Sequence, residues 1–493
     1  MSSGGAQAPG AAAGGGSTAK WLILSAVMLG SFMGPLDGSI VNTVLPDITR
    51  YFETDISIAQ WVPAVYLLAI SCLILLYGRL GDMIGYKKIF LFGLAAFTVA
   101  SVLCGSAQSM WMLIAFRAVQ GLAAGMTMAV GISIVTAAFP PAERGKAMGI
   151  YAVSIAVGLG LGPTLGGVIA EYSSWRYVFF INVPIGIAAL LWGVRVIPRG
   201  DAHPGQRLDF AGALTAFIFL TTLLLYANRG EYWGWTSPVP LSLLATAVVS
   251  AMLFFRIERT SAQPMLNLAL FRSRQFSFAS LSALLNFMAL YALVFLTPFY
   301  LVYVLHYSIL KVGLVMAVSP LVTIMVAPLS GMLSDRFGTR VFAVAGMAIS
   351  ALGLYLLSGL DASSSAWDVI WRLCVAGAGM GIFQSPNNSA IMGSVPPWHR
   401  GIAGGILAAM RNVGMVLGIA VAGALLYSLA PAAASARPGS FSPTQIREFL
   451  EGLQWAYVCG AGLAGAAGLT SLLAVDRAAQ PATAGGGAVS GAV

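Results

Sequence analysis

Charged side chains are the scarcest feature of this sequence. Only 9% of its 493 residues are Asp, Glu, Lys or Arg, against about 25% in an ordinary soluble domain. A soluble chain of this length would form about three domains, and 26 basic and 17 acidic side chains cannot cover three such surfaces. Disorder is excluded because 58% of the residues are hydrophobic, and a collagen-like fibre is excluded because the chain has no Gly-X-Y period.

Cysteine and histidine are scarce as well, and no nucleotide-binding loop is present. The four cysteines and three histidines show neither metal-ligand spacing nor a disulfide framework. The absence of a P-loop argues against pumping driven by ATP hydrolysis. The sequence therefore predicts no enzyme, no metal site and no bound cofactor.

Long apolar runs are what the chain does have. Since a transmembrane helix needs about 20 predominantly apolar residues, the hydrophobic content allows at most about fourteen such helices. The number of apolar runs is also fourteen. They are 21–45, 57–77, 88–107, 111–138, 147–170, 176–197, 209–228, 237–257, 276–304, 309–333, 341–360, 366–390, 402–428 and 453–475. This pattern predicts an all-α polytopic membrane protein with 14 transmembrane helices. Residues 1–19 and 479–493, rich in Gly and Ala, are predicted to be disordered tails.

The basic residues predict how these helices are oriented. With a cytoplasmic N-terminus, seventeen Lys and Arg residues fall in inner loops and tails, and six fall in outer loops. Cytoplasmic loops carry the excess of basic residues in membrane proteins, so both termini are expected to be cytoplasmic. The net charge of +9 has the same explanation and does not require a nucleic-acid partner.

A repeated loop motif divides the chain into two halves. The pattern G-x-x-x-D-x-x-G-x-[K/R] occurs after the second run and again after the tenth. Its residues and their basic neighbours are Gly78, Arg79, Asp82, Gly85 and Lys87 in the first copy and Gly331, Asp335, Arg336, Gly338 and Arg340 in the second. Duplicated halves are typical of secondary transporters. We therefore predict a six-helix bundle at 20–197, two linker helices with cytoplasmic loops at 198–275, and a second six-helix bundle at 276–478.

These motifs resemble those of the major facilitator superfamily, and in particular its fourteen-helix branch of drug:proton antiporters. The fifth run matches the antiporter signature G-x8-G-x3-G-P-x2-G-G at Gly149, Gly158, Gly162, Pro163, Gly166 and Gly167. The segments Leu36–Pro46, Arg117–Gly121 and Trp175–Pro184 resemble further motifs of that branch, and the likeness covers about residues 20–477.

The resemblance implies a 6+2+6 arrangement of helices in the cell membrane, with a bacterial cytoplasmic membrane as the expected location. It implies a secondary exporter of amphipathic small molecules such as drugs, driven by the proton gradient and needing no cofactor. Its partners would be the lipid bilayer, protons and the substrate, and the chain is expected to work as a monomer. An exporter of one dedicated metabolite or lipid, and a proton-coupled importer on the same fold, are the alternatives.

Three features depart from the family's pattern. Met83 stands where a basic residue is usual, and Ser39 and Thr43 differ from the motif of the first helix. Runs nine to fourteen have no acidic residue in mid-membrane. The last departure puts a preference for dicationic substrates in doubt.

Asp37 is the only carboxylate well inside an apolar run. An ionised Asp at the bilayer centre costs about 2.5–3.5 kcal/mol on insertion scales, and such a residue usually faces a wet cavity and marks a pathway. Because burial disfavours the ionised form, we expect Asp37 to take up and release a proton near neutral pH. The alternative is a structural Asp that bonds its own helix or caps a break near Gly38.

Arg117 lies about one turn into the fourth run. Since Arg stays charged, it needs a partner or backbone carbonyls in the membrane. The resemblance implies a role in proton transfer together with Asp37, and the sequence leaves open whether the two side chains are in contact. Arg117 could instead reach the outer surface or tie two helices together.

The glycines at 158, 162 and 166 recur every four residues and share one helix face. By resemblance this face packs at the interface of the two halves, and the alternative is generic packing of small residues. The two loop motifs are implied to hold an inward gate through Asp82 and Asp335. Anchoring at the lipid headgroups would also explain the basic residues of those loops.

The remaining polar residues inside the runs are candidates for a substrate cavity, although helix–helix hydrogen bonds would explain most of them. They are Asn42, Tyr66, Gln120, Asn286, Tyr291, Gln384, Asn387, Asn388 and Arg411.

Overall fold

The structure is a computed structural model that describes residues 17–140, 143–199, 209–261, 268–396, 400–434 and 441–474. Within these ranges the chain is helical and has no β-strand. Fourteen of the described helices are long and apolar enough to cross a membrane. The prediction of an all-α membrane protein with fourteen spans is confirmed.

Six spans pack together as the N-terminal bundle. They are α1 (Ser17–Tyr51), α2 (Ile56–Ala59) with α3 (Trp61–Ile84), α4 (Tyr86–Gly105), α5 (Met110–Ala138), α6 (Arg144–Tyr172), and α7 (Tyr177–Phe180) with α8 (Asn182–Val196). Here α1 packs along α6, α8 and α5, while α5 also packs along α3 and α4. The first helix is therefore enclosed by its own bundle on several sides.

Two helices follow, and then a second group of six spans that we call the C-terminal bundle. The two are α9 (Phe210–Trp233) and α10 (Pro238–Thr260). A short 3-10 turn (Leu268–Arg272) leads into α11 (Arg274–Tyr303), α12 (Ile309–Phe337), α13 (Thr339–Leu357), α14 (Ala366–Gly393), α15 (Arg400–Leu429), α16 (Pro431–Ala434) and α17 (Pro443–Leu473). The helices α11, α15 and α17 pack on one another, and α14 packs on α12 and α13.

The linker helices α9 and α10 lie at the periphery. They pack chiefly on each other, and α9 also touches α3 and α15. Only 22% of each span is buried by protein, the lowest share among the fourteen. Their apolar surfaces are therefore left for the lipid chains.

The two repeated loops begin with the same backbone turn. Gly85 follows the last residue of α3 with φ 99°, and Gly338 follows the last residue of α12 with φ 94°. The N–H groups of these glycines donate to the carbonyls of Gly81 and Ser334, each at 2.9 Å. Because a positive φ is strained for residues with a side chain, glycine is required at this place in both copies.

The two bundles meet at the end of the molecule that the basic residues predict to be outer. The Tyr303 hydroxyl of α11 donates to the Pro46 carbonyl of α1 at 3.0 Å. The Leu310 N–H at the start of α12 donates to the Glu171 carboxylate of α6 at 3.2 Å. These contacts join α1 and α6 of one bundle to α11 and α12 of the other.

Candidate functional site

Asp37 lies in α1 with none of its surface exposed. Helix α1 runs from Ser17 to Tyr51 and continues through Pro35 and Gly38, so Asp37 caps no break. Its carboxylate is bonded by side chains of α5 and α8 rather than by its own helix. The structure therefore contradicts the alternative of an Asp that serves only α1.

Three side chains donate to the Asp37 carboxylate. Arg117 donates from Nη1 to Oδ2 and forms an ion pair with it. Gln120 donates from Nε2 and Asn182 donates from Nδ2, both to Oδ1 at 2.9 Å. The contact between Asp37 and Arg117, which the sequence left open, is thus direct.

Arg117 is held on the other side by α3. Its Nε donates to the Val62 carbonyl at 3.2 Å, and its guanidinium carbon lies 4.0 Å from the centre of the Tyr66 ring. The Tyr66 hydroxyl in turn donates to the Gly34 carbonyl of α1 at 3.1 Å. Since Arg117 is 0% exposed, it does not reach the outer surface.

Gln120 joins Asp37 to two further residues of α4. Its Nε2 also donates to the Ser101 hydroxyl at 2.9 Å, and its Oε1 accepts from Arg117 at 2.8 Å and from the Cys104 thiol at 3.4 Å. All the polar atoms of the Gln120 amide are therefore in use inside the N-terminal bundle. It is a fixed member of the Asp37 cluster.

The sequence did not identify two of these partners. Asn182 stood within the segment Trp175–Pro184 that resembles a family motif, but nothing in that pattern indicated Asp37 as its partner. Ser101 carries no signal at all, since serine is frequent in apolar helices and often bonds its own backbone. Here it does so as well, to the Phe97 carbonyl at 2.8 Å.

The arrangement is suited to holding one negative charge away from water. A buried ion pair is costly to form and more costly to break, because removal of one partner leaves the other uncompensated at about 3–5 kcal/mol. A proton on Asp37 would cancel the charge opposite Arg117 without removing a side chain. The protonation state of one carboxyl can thus change the contacts among α1, α5 and α8.

The glycine face of α6 packs on α1 of its own bundle. A Cβ at Gly158 would lie 2.9 Å from the Phe32 carbonyl oxygen, and one at Gly162 would lie 2.9 Å from the Ile40 amide nitrogen. Gly166 also faces α1, at Ile40. The expectation that the face formed by positions 158, 162 and 166 packs at the interface of the halves is wrong. Helical periodicity shows which residues share a face but not which neighbour covers it.

A different glycine of the signature meets the other bundle. A Cβ at Gly167 would lie 2.8 Å from the Ile309 carbonyl oxygen and 3.1 Å from the Gly313 Cα. A Cβ at Gly313 would lie 2.4 Å from the Pro163 carbonyl oxygen. Backbones of α6 and α12 therefore touch across the bundle interface. At Gly149, by contrast, a Cβ would meet no atom within 4 Å.

The loop residues have more than one function. Lys87 donates to the Val194 carbonyl at 2.8 Å and to the Ile197 carbonyl at 2.5 Å. It thus satisfies the end of α8 in its own bundle, as basic side chains often do at helix C-termini. The side chains of Asp82 and Asp335 lie outside the described part of the structure, so the inward gate stays a prediction.

Five of the nine cavity candidates are enclosed within a bundle. Asn42, Tyr66, Gln120, Asn286 and Asn387 are each at most 3% exposed. Tyr66 and Gln120 belong to the Asp37 cluster, and the Asn42 amide donates to the Gly38 carbonyl of its own helix at 2.9 Å. Structural hydrogen bonding accounts for Tyr66 and Gln120, whereas the Asn42 amide oxygen is buried without a partner among the described residues.

The other four candidates lie in α11, α14 and α15. Gln384, Asn388 and Arg411 are partly exposed, and Tyr291 is 5% exposed. Gln384 and Asn388 are four residues apart and share one face of α14. Two other faces of α14 are covered, since Gly381 meets α12 and Phe383 meets α13. The face with the two amides is partly exposed, so Gln384 and Asn388 stay candidates for a substrate cavity.

Comparisons with known proteins agree with this architecture. The sequence matches the Major Facilitator Superfamily over residues 27–419 and again over 279–491. It is 35% identical over 401 residues to a riboflavin transporter of Clostridioides difficile, which covers 81% of this chain and 87% of that protein. It is 35% identical over 406 residues to a multidrug resistance protein of Mycobacterium tuberculosis, which covers 82% of this chain and 75% of that protein.

The fold is also that of solved transporters. An inward-facing structure of a bacterial homologue of the human lysosomal transporter Spinster superposes with a TM-score of 0.66 at 18% identity. The superposition covers 93% of this chain and 98% of that one. With fourteen apolar helices, a match to the family over most of its length and transporters among its relatives, this chain belongs to the Major Facilitator Superfamily as a multi-pass protein of the cell membrane.

Proposed function

We propose that this protein is a proton-coupled exporter of amphipathic small molecules that works by alternating access between its two bundles. The observation that carries the proposal is the buried cluster in which Arg117, Gln120 and Asn182 hold Asp37. A titratable carboxyl inside a membrane helix is the kind of residue that proton-driven transporters use. Asp37 also lies on α1, the helix that touches the opposite bundle through Pro46.

The proton would act by loosening the contacts of α1. Once Asp37 is neutral, its ion pair with Arg117 is lost and its bonds from two amides weaken, because hydrogen bonds to a charged acceptor are the stronger ones. Helix α1 is then less firmly tied to α5 and α8. Since α1 packs along α6 and touches α11, the change reaches two of the contacts between the bundles, the one at Pro46 and the one made by α6.

We infer the following cycle. With the cavity open to the outside, Asp37 takes a proton and the substrate leaves. With the cavity open to the cytoplasm, Asp37 releases the proton and the substrate binds. One charge crossing 100 mV yields about 2.3 kcal/mol, which supports a gradient of roughly 50-fold at about 1.4 kcal/mol per factor of ten. A single coupling carboxylate is therefore energetically sufficient.

Two observations support export rather than import. The fifth run carries the complete antiporter signature from Gly149 to Gly167. One relative at 35% identity is named for multidrug resistance, and resistance by a transporter is most simply achieved by moving the drug out of the cell. Broad export of amphipathic drugs is therefore the first candidate.

A dedicated transporter of one metabolite is the second candidate. The observation that favours it is the equal identity, 35%, to a riboflavin transporter. The two candidates differ in breadth, so a susceptibility panel in a pump-deficient bacterium separates them. Protection against several unrelated amphipathic drugs supports the first candidate, and protection against none of them supports the second.

The direction of coupling is tested in proteoliposomes that contain a pH-sensitive dye. When a substrate from the panel is added on one side, we expect protons to move toward that side as the substrate moves away from it. Movement of both in the same direction would establish a symporter instead. Substrate movement without proton movement, in liposomes that are shown not to leak protons, would refute proton coupling.

A further inference from the structure

Arg411 is a positive charge in the middle of the membrane. It lies nine residues into the span Ile402–Leu429 of α15, about 14 Å along the helix axis. Its side chain is partly exposed. A cation at this depth normally faces a partner or a water-filled cavity.

Two other arginines of the spans, one in each bundle, have partners that Arg411 lacks. Arg117 is paired with Asp37, and Arg372 donates to the Asp368 carbonyl at 3.2 Å. In the described part of the chain, the Arg411 guanidinium makes no hydrogen bond and no ion pair. Its close contact is the ring of Phe287, whose centre lies 5.0 Å away.

Arg411 lies between the bundles. Its helix α15 packs on α3 and α5 of the N-terminal bundle. Tyr291 of α11 and Tyr151 of α6, the latter in the N-terminal bundle, lie within electrostatic range of its guanidinium. Two turns earlier on α15, Gly404 lies 3.7 Å from the Ile132 side chain of α5 in the same bundle, measured from the position of a Cβ. The guanidinium is therefore at the boundary across which a substrate would pass.

The surroundings of Arg411 are rich in donors and poor in acceptors. The Tyr291 hydroxyl makes no hydrogen bond within the described residues, whereas the Tyr151 hydroxyl donates to Ser31 at 3.2 Å. Helices α11, α13 and α15 contain no Asp or Glu. The acidic residues of α12, α14 and α17 lie toward helix ends, at Asp335, Asp368, Glu448 and Glu451. Among the side chains that the structure describes, no carboxylate of the C-terminal bundle forms an ion pair with Arg411.

We propose that Arg411 binds an anionic group of the substrate, such as a carboxylate, and that the substrates are aromatic or amphipathic anions. This proposal rests on the transport function proposed above and names its substrate class. A guanidinium binds a carboxylate through two parallel hydrogen bonds. The Phe287 and Tyr291 rings supply an apolar surface beside it for the rest of the molecule, and the Tyr291 hydroxyl adds one more donor.

The test compares two dyes that share a xanthene ring system and differ in charge, the anion fluorescein and the cation rhodamine 123. Binding to the purified full-length protein in lipid nanodiscs is measured by fluorescence anisotropy, without any pH gradient. We expect fluorescein to bind more tightly, and Arg411→Gln to weaken it about tenfold or more, because a charge-assisted bidentate contact is lost. Rhodamine 123 binding should be unchanged or improved.

Two further variants control for folding. Arg411→Lys keeps the charge but loses the two parallel donors, so its fluorescein affinity should lie between those of the wild type and Arg411→Gln. Arg372→Gln removes a membrane arginine elsewhere and should retain all of the affinity. With the wild type alone, 2-naphthoate should displace fluorescein while the neutral 2-naphthamide should not. This competition needs no variant to fold.

Several results would overturn the proposal. One is that fluorescein shows no saturable binding, and another is that rhodamine 123 binds more tightly than fluorescein. The others are equal displacement of fluorescein by 2-naphthoate and 2-naphthamide, and an equal loss of affinity for both dyes in Arg411→Gln. Because the assay is at equilibrium without a gradient, it does not depend on Asp37 coupling. Failure of proton-driven export would therefore appear separately, in the flux experiments.

Discussion

At the residue scale, the ion pair between Asp37 and Arg117 explains how two charged side chains, each costly to bury alone, can both lie inside the membrane. Each side chain is 0% exposed, and each is neutralised by the other. The amides of Gln120 and Asn182 then satisfy the second carboxylate oxygen. The cluster is stable while both charges are present, and it changes when one of them is removed by a proton.

The interdependence of this pair predicts the outcome of a double-mutant comparison. Arg117→Leu should lower the stability of the protein by about 3–5 kcal/mol, because Asp37 is left buried without its cation. Adding Asp37→Asn should restore a large part of the loss, since the neutral amide needs no cation. The measurement is the midpoint of thermal unfolding in detergent.

The matched control for this comparison is Arg372→Leu. Arg372 donates only to a backbone carbonyl of its own helix, so we expect a loss of less than about 1 kcal/mol. If Arg117→Leu proves no more destabilising than Arg372→Leu, or if the double variant is less stable than the single one, the two charges are not a buried pair.

Sequence reasoning reached Asp37 and Arg117 because a charge inside an apolar run is rare and costly. It could not reach Ser101 or the role of Asn182. Uncharged polar residues are common in membrane helices, and their partners depend on which helices become neighbours. The same limit applies to Gln120. The sequence made it a candidate for the substrate cavity, but the structure shows it in the Asp37 cluster.

At the element scale, the contacts of α6 divide between two neighbours. The face with Gly158 and Gly162 is covered by α1, and the Gly167 side is covered by α12. The signature was recognisable from its spacing, but the sequence assigned its face to the wrong neighbour. Gly167, one residue beyond that face, is where the backbone of α6 comes close to α12 of the other bundle.

Gly313→Ala tests the close approach of α6 and α12. The new Cβ would lie 2.4 Å from the Pro163 carbonyl oxygen, and overpacking of this kind costs about 1–3 kcal/mol. We expect the outer end to be held open and export to fall. Spin labels at positions 173 and 362, in a cysteine-free background, should show longer distances across the outer end than in the unsubstituted protein.

Gly149→Ala is the matched control, because it changes another glycine of α6 whose surroundings are empty within 4 Å. Its label distances should equal those of the wild type. An unchanged distance distribution in Gly313→Ala, or an equal effect of both substitutions, would show that this contact does not close the outer end.

At the scale of the whole molecule, composition and spacing predicted the number of spans because length and apolarity are local properties of the chain. The same helices are found in the structure. How the bundles contact each other was not predictable from the sequence. The contact is made by backbone atoms such as the Pro163 carbonyl and the Gly313 Cα, and because every residue has such atoms, no residue type indicates where they will meet. The orientation rests on the distribution of Lys and Arg alone.

That orientation predicts which loops are accessible from outside the cell. A cysteine placed at Ala362, which is exposed between α13 and α14, should react with a membrane-impermeant maleimide in intact cells. A cysteine at Thr260, exposed at the end of α10, should react only after the cells are opened. The reverse pattern would place both termini outside and invert the proposed cycle.

The central claim is that Asp37 couples substrate movement to protons, and the Asp37→Asn variant tests it most directly. The matched control is Asp361→Asn, in the loop between α13 and α14. Hydrogen bonds from the side chain and backbone of Ser363 and from Ser364 keep the pKa of Asp361 below its usual range. Asp361 is therefore ionised at neutral pH and cannot carry protons in the cycle.

The measurement is substrate accumulation in proteoliposomes with an imposed pH gradient, compared with substrate exchange at equal pH on both sides. Our account predicts that Asp37→Asn loses gradient-driven accumulation but still exchanges substrate, while Asp361→Asn does both like the wild type. Gradient-driven accumulation by Asp37→Asn at the wild-type level would contradict it.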